Sequence, residues 1–209
     1  MEPLVLVARL VGAWTVRNSP ADRVPSHGTS AFGTAYAIDL VPVDDRGWSA
    51  RRGWRSWVTT EPPQSFTGFG AEVRAPVGGR VVQVLDGEPD HVARRSPLAG
   101  LGYALTQARR VRAGVAAVAG NHVVVEVAPG GPFVLVAHLR RGSVVVAPGD
   151  AVVVGDALGR VGNSGNSTEP HVHLQVTDST DWERAQGLPL AFAVGGRTWV
   201  PRGGVVVGG

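Results

Sequence analysis

Apolar residues come in short runs along this chain, and the runs are bounded by glycine, proline, asparagine, aspartate or serine. Several alternate with polar positions, which predicts strands with one buried face rather than long amphipathic helices. Residues 4–16 predict a first strand. The segment from Asn18 to Gly33 is polar and turn-rich, and leads into a second strand, Thr34 to Val41. Further strands are predicted over Arg80–Leu85, His122–Val127, Phe133–Leu139, Ser143–Val146, Ala157–Val161, His171–Val176 and Thr198–Val200. Turns at Pro129-Gly130-Gly131, Pro148-Gly149-Asp150 and Gly155-Asp156 separate them.

Two stretches interrupt this rhythm. Residues 44–64 are irregular and hold Trp48, Trp54 and Trp57 with four arginines. Residues 87–120 form an insertion, and Leu101, Leu105 and Ala108 predict one helix between Leu98 and Val111. Long interruptions of this kind are often functional, so at least one of the two is expected to wall a binding groove, with a packed surface loop as the alternative for residues 44–64. The Gly/Val-rich tail, Gly203 to Gly209, is expected to be loose. The economical architecture is mainly β, one domain over residues 1–209. Its core is an antiparallel sheet or sandwich with one helix-bearing insertion.

Composition narrows the chemistry. With 29 Gly, 15 Pro and only 6% aromatics in 209 residues, the chain suits short strands and tight turns, and 44% apolar residues suffice for a sizeable core. There is no cysteine, which excludes disulfides, thiolate nucleophiles and Cys-type zinc sites. The net charge is +3 and lysine is absent. The arginines are scattered in pairs such as Arg51-Arg52 and Arg140-Arg141, so no nucleic-acid stripe is expected. No run approaches the roughly 18 apolar residues of a membrane span. Leu4 to Trp14 is broken by Arg9 and lacks a basic leader region, so it reads as a strand and not as a signal peptide.

Candidate chemistry gathers at histidines. In the strand pattern around His171-Val172-His173 the two imidazoles share a face, with Cα atoms roughly 6–7 Å apart. They could share a metal site or pack as core residues. Asp39 sits in the apolar run Ala37-Ile38-Asp39-Leu40-Val41. A buried carboxylate there is costly unless it is paired, protonated or bound to a cation. The alternatives are a strand-edge Asp or an Asp–Arg pair. His27 lies in the preceding loop. His138 ends the apolar strand Phe133 to Leu139, where a core histidine with a backbone partner is the plain reading. The loop from Gly162 to Pro170, rich in Gly, Asn and Ser, can adopt unusual backbone angles just before the histidine pair.

Taken together, Gly120-Asn121-His122-Val123-Val124, Val136-Ala137-His138-Leu139, the run from Val152 to Gly165, and Pro170-His171-Val172-His173-Leu174-Gln175-Val176 resemble the lysostaphin-type (LytM-domain) zinc endopeptidases. The resemblance is dense from about Val73 to Val176. It implies an antiparallel β core of the duplicated-hybrid-motif kind with loops walling a groove. It also implies Zn²⁺ held by His27, Asp39 and His173, with His138 and His171 as catalytic histidines. The implied activity is hydrolysis of peptide bonds, in the stems or cross-bridges of bacterial peptidoglycan, by a metal-activated water. A wall substrate would place the chain outside the cytoplasm. Two departures stand out: His27 and Asp39 are separated by a long loop instead of a short spacing, and the insertion over residues 87–120 is unusual.

The implied ligand set is chemically sensible. Two imidazoles and one carboxylate suit Zn²⁺ and leave a coordination position open. Two other classes compete. A non-catalytic relative, binding cell-wall peptides or activating another hydrolase, would be expected to lose some of the five residues, yet all are present. The turns at Val146–Asp150 and Val154–Gly159 look like those of biotinyl or lipoyl carriers, but those groups attach to lysine, and there is none.

Overall fold

The alternation that marks the strands also sorts their side chains onto two faces. The computed structural model describes residues 2–51, 53, 56, 59–95, 114–194 and 196–208. Its central element is a nine-stranded sheet. In spatial order it contains β14 (Val206–Val207), β2 (Ala13–Arg17), β3 (Ile38–Val43), β10 (Val172–Thr177), β7 (Phe133–Leu139), β6 (Asn121–Glu126), β5 (Gly79–Leu85) and β8 (Ala151–Val152). A ninth strand, β11 (Gly187–Leu188), pairs with the end of β10. Every pairing in this sheet is antiparallel.

One face of the sheet carries the main core. Trp14 and Val16, Ile38 and Leu40, Val123 and Val125, Val134 and Val136, and Val172, Leu174 and Val176 point into one buried cluster. Two smaller sheets cover it. One is β1 (Leu4–Leu6), β12 (Leu190–Val194) and β13 (Arg197–Trp199); the other is β4 (Glu72–Arg74) with β9 (Ala157–Arg160). Leu6, Val73, Leu158, Leu190 and Phe192 come from these sheets into the same cluster. Each fully buried aliphatic side chain contributes about 1.5–3 kcal/mol by leaving water. The fold is thus mainly β, with an antiparallel central sheet as expected and one covering sheet that includes a parallel pair. The residues between the core positions face the other way. Val124, Leu135 and Ala137 meet Ala119, Trp182 and Ala185 there, and the polar positions of β3 and β10 share that side.

Several elements depart from the sequence pattern. Residues 4–16 are two strands, not one. Gly12 turns the chain with φ 79°, so β1 runs parallel to β12 in a covering sheet while β2 joins the central one. Ser143–Val146 is not a strand. Val145 N–H does reach the Leu158 carbonyl at 3.0 Å, but the Ser143 hydroxyl takes the Arg160 N–H in place of a backbone carbonyl. The tail is less loose than its composition suggests, because Val206 and Val207 pair with Thr15 and Trp14. The helix predicted over Leu98–Val111 lies outside the described residues. A five-residue helix, α1 (Val115–Ala119), closes the insertion.

Candidate metal centre and histidine cluster

Strand parity builds the site. In the β3–β10 pair Asp39 lies opposite His173, and both sit one residue out of step with the core positions Ile38, Leu40, Val172 and Leu174. Their side chains therefore leave the sheet on the face away from the main core. His171, two residues before His173, shares that face, and its Nε2 is 3.5 Å from Asp39 Oδ1. His27 arrives from the long loop, which folds back on itself. Ser26 N–H donates to the Ala35 carbonyl at 2.9 Å, just before β3 begins. The twelve-residue spacing from His27 to Asp39 is spanned by this closure, with His27 Nε2 ending 3.2 Å from both Asp39 oxygens.

His138 reaches the cluster by breaking the alternation. By parity with Val134 and Val136 it would point into the main core. Between the pairs Asn121↔Leu139 and Val123↔Val136 the register shifts, so β7 carries one residue more than β6. His138 occupies this bulge with φ 63°, an uncommon conformation for a residue with a Cβ and one found at functional sites. Its ring lies 4.7 Å from that of His171 and 5.8 Å from that of His173. His27 and His173 are 4.9 Å apart, edge to face. All five residues singled out in the sequence thus meet at one place.

The hydrogen-bond network fixes which ring nitrogens carry protons. Gln175 Nε2 donates to the Phe32 carbonyl at 2.8 Å, so its Oε1 accepts from His173 Nε2–H at 2.9 Å. His173 Nδ1, 3.0 Å from Asp39 Oδ1, is left with a lone pair. The Ser26 hydroxyl gives its proton to the Thr34 carbonyl at 3.2 Å. It therefore accepts from His27 Nδ1–H at 3.0 Å, and the lone pair of His27 Nε2 faces Asp39. His171 Nδ1–H donates to the Glu169 carbonyl at 2.8 Å, and His138 Nδ1–H to the Ser164 carbonyl at 2.9 Å. Neutral imidazoles thus present acceptors to an acceptor carboxylate. Only positive charge between them relieves this, either protons on the rings or a shared cation.

The titration tendencies express the same preference. Burial pushes the Asp39 carboxyl up. The charge of His171 and the hydrogen bonds that His171, His173 and His27 donate when protonated outweigh it and hold the carboxyl well below its usual range. For His171, burial opposes protonation, but the Asp39 charge and hydrogen bond and the Glu169 carbonyl raise it above the ordinary histidine value. Burial, together with the neighbouring His171 and His173, pushes His138 well down, so its Nε2 lone pair stays free. One ligand atom each from His27, Asp39 and His173 lies within 4.8 Å of the others, a group fit to hold a metal ion.

Supporting residues were not all legible in the sequence. Asn18, in the left-handed region with φ 46°, donates from Nδ2 to Asp39 Oδ2 at 2.7 Å. Gln175 could have been found, since it lies two residues past His173 on the same strand face. The Gly162–Pro170 loop works through backbone carbonyls. Ser164 also anchors it, accepting from Asn121 N–H at 3.0 Å and donating to the Leu139 carbonyl at 2.8 Å. Gly165 and Gly120, both at positive φ, pack backbone to backbone where a Cβ on either would collide with the other. The start of the insertion braces this loop: Arg94 N–H donates to the Thr168 carbonyl at 2.7 Å and Asn163 Nδ2 to the His91 carbonyl at 2.8 Å. From residues 44–64, Ser49 donates to Glu169 Oε2 at 2.7 Å. Its neighbour Trp48 is exposed, while Trp54 and Trp57 lie outside the described residues.

The family model described as Peptidase family M23 matches residues 103–185. The match covers less than half of the chain. The matched segment contains His138, His171 and His173, the bulged strand and the glycine-rich loop; His27 and Asp39 lie outside it and are brought in by the fold. Among solved structures, this chain is similar to the lysostaphin catalytic domain from Staphylococcus simulans. The two are 23% identical over 58% of this chain and 70% of that one, with a TM-score of 0.38. It is also similar to a variant catalytic domain of the prophage-encoded M23 protein EnpA from Enterococcus faecalis. There the identity is 21%, the coverage 68% and 94%, and the TM-score 0.39. The deep-sea M23 metalloprotease pseudoalterin is similar over 96% of this chain and 95% of its own, at 15% identity and a TM-score of 0.47. No curated protein matches the sequence. The matched family is one of peptidases, and the described residues include a histidine–aspartate group suited to a metal.

Proposed function

We propose that this chain is a zinc-dependent metalloendopeptidase of the M23 kind in which His27, Asp39 and His173 hold Zn²⁺ and His138 and His171 move protons. The observation that carries the reading is the set of lone pairs from His27 Nε2 and His173 Nδ1 turned onto the Asp39 carboxylate. Two neutral nitrogens and one carboxylate oxygen are the donors zinc takes, and three protein ligands leave a position open. When bound, zinc would supply Lewis acidity, polarising the scissile carbonyl and making water more acidic.

The chain's own residues do the rest. Asn18 and Gln175 hold Asp39 and His173 in their facing orientations. His138 and His171 each tie Nδ1–H to a backbone carbonyl, which turns Nε2 toward the cluster. One is positioned to take a proton from the attacking water, the other to steady the developing oxyanion or protonate the leaving amine. The peptidase-family match over residues 103–185 supports a peptide substrate. The lysostaphin-type resemblance makes the stems or cross-bridges of peptidoglycan our proposed target, which would place the enzyme outside the cytoplasm. No helix among the described residues is long and apolar enough to cross a membrane.

Single alanine variants separate ligand from catalyst. His138→Ala and His171→Ala should fold, keep zinc and lose roughly 10²–10⁴-fold in cleavage of cross-bridge peptides. His173→Ala should lose zinc and activity together. Zinc retained by His173→Ala, or cleavage at the parental rate by His138→Ala, would show the roles to be wrongly assigned.

A further inference from the structure

A row of side chains crosses the site face of the central sheet. Arg17 on β2 lies opposite Asp39 on β3, and Asp39 lies opposite His173 on β10. Facing residues of an antiparallel pair have Cβ atoms about 4.5–5.5 Å apart. A guanidinium is long enough to cross that gap and fork onto a carboxylate. Asp39 therefore has an arginine beside it, the arrangement in which a buried strand aspartate is simply neutralised by an ion pair. Among the described residues that pair is not made.

Arg17 is drawn elsewhere. Its Nη1 pairs with Glu169 Oε1, and the Arg17 side chain remains half-exposed at 52% while that of Glu169 is 4% exposed. The second carboxylate oxygen of Glu169 accepts the Ser49 hydroxyl at 2.7 Å. A buried carboxylate on the loop before β10 thus satisfies the arginine adjacent to Asp39, and Asp39 is left to His27, His173, His171 and Asn18.

We infer that Glu169 is a positioning residue that keeps Arg17 off Asp39 and so preserves the carboxylate for the metal. The inference rests on the zinc reading above. Without the Glu169 charge, Arg17 is free to turn to the carboxylate opposite it, and a guanidinium bound there would compete with the cation for the same oxygens and repel it. Glu169 also holds His171 through its backbone carbonyl, but a side-chain substitution leaves that carbonyl in place, so the two roles are separable.

The test is zinc affinity, measured by competition with a chromophoric chelator, on the parent and on Glu169→Gln, Arg17→Gln and the double variant. Glu169→Gln should weaken zinc by about tenfold or more, the scale on which partners beyond the ligands tune a metal site. Arg17→Gln should bind at least as tightly as the parent, and the double variant should return to within about threefold of it. Glu169→Asp withdraws the carboxylate by one methylene, keeps the charge, and should fall between; it serves if Glu169→Gln does not fold. Parental affinity in Glu169→Gln and Glu169→Asp overturns the inference. So does a double variant as weak as Glu169→Gln, because Glu169 would then act through its loop and not through Arg17. A parent that binds no zinc overturns the zinc reading itself, a result distinct from either.

Discussion

At the scale of single residues, the site depends on groups that set proton positions. Gln175 is buried between the Phe32 carbonyl and His173 Nε2 and has no alternative orientation that satisfies both. Gln175→Leu keeps the volume but leaves two polar groups unpaired, at about 1–3 kcal/mol each. It also frees His173 to carry its proton on Nδ1, the wrong side for a metal. We expect this variant to fold with reduced stability and to bind zinc about 10–100-fold more weakly than the parent. Unchanged affinity would mean that Gln175 does not fix the tautomer. The five functional candidates were visible as residue types in strand or loop context. Asn18 was not, because its value lies in a left-handed backbone and a contact across 21 residues, neither of which composition or periodicity encodes.

At the scale of elements, a bulge and a loop carry the geometry of the two proposed catalytic histidines. Alternation alone made Phe133 to Leu139 a strand and His138 a core residue. The extra residue in β7 reverses its side, and no local pattern marks where a bulge falls. The partner loop was legible as glycine-rich, but its role is to aim the Ser164 and Glu169 carbonyls at two histidines. Gly165→Ala tests this coupling. A Cβ there meets the Gly120 backbone at a residue with φ 69°, so a loss of more than about 1 kcal/mol in stability is expected. The displaced Ser164 carbonyl would also release His138. Peptide cleavage should fall while zinc binding, which uses other strands, stays near parental. A Gly165→Ala variant with parental melting temperature and rate would contradict the tight loop packing. The boundaries of short elements escaped the sequence for a related reason. β4, β8, β11 and β14 have two or three residues each and exist because neighbours pair with them.

At the scale of the molecule, one sheet separates two tasks. Its covered face joins Val, Leu and Ile from the central strands and the covering sheets in one core, and its other face carries the polar cluster beside a smaller apolar one. That division was readable from period-two alternation. The convergence of a loop, β3, β7 and β10 on one point was not readable from alternation, and came only from the family resemblance. The family match begins after His27 and Asp39, so their part in the site rests on strand register and loop closure. The account stands on a metal bridging those two residues and His173. Elemental analysis of protein purified without a metal-affinity tag, combined with X-ray absorption at the zinc edge, tests it most directly. We predict one zinc per chain with nitrogen and oxygen ligands at about 2.0–2.2 Å. Protein that remains metal-free after zinc is supplied and excess removed would contradict it.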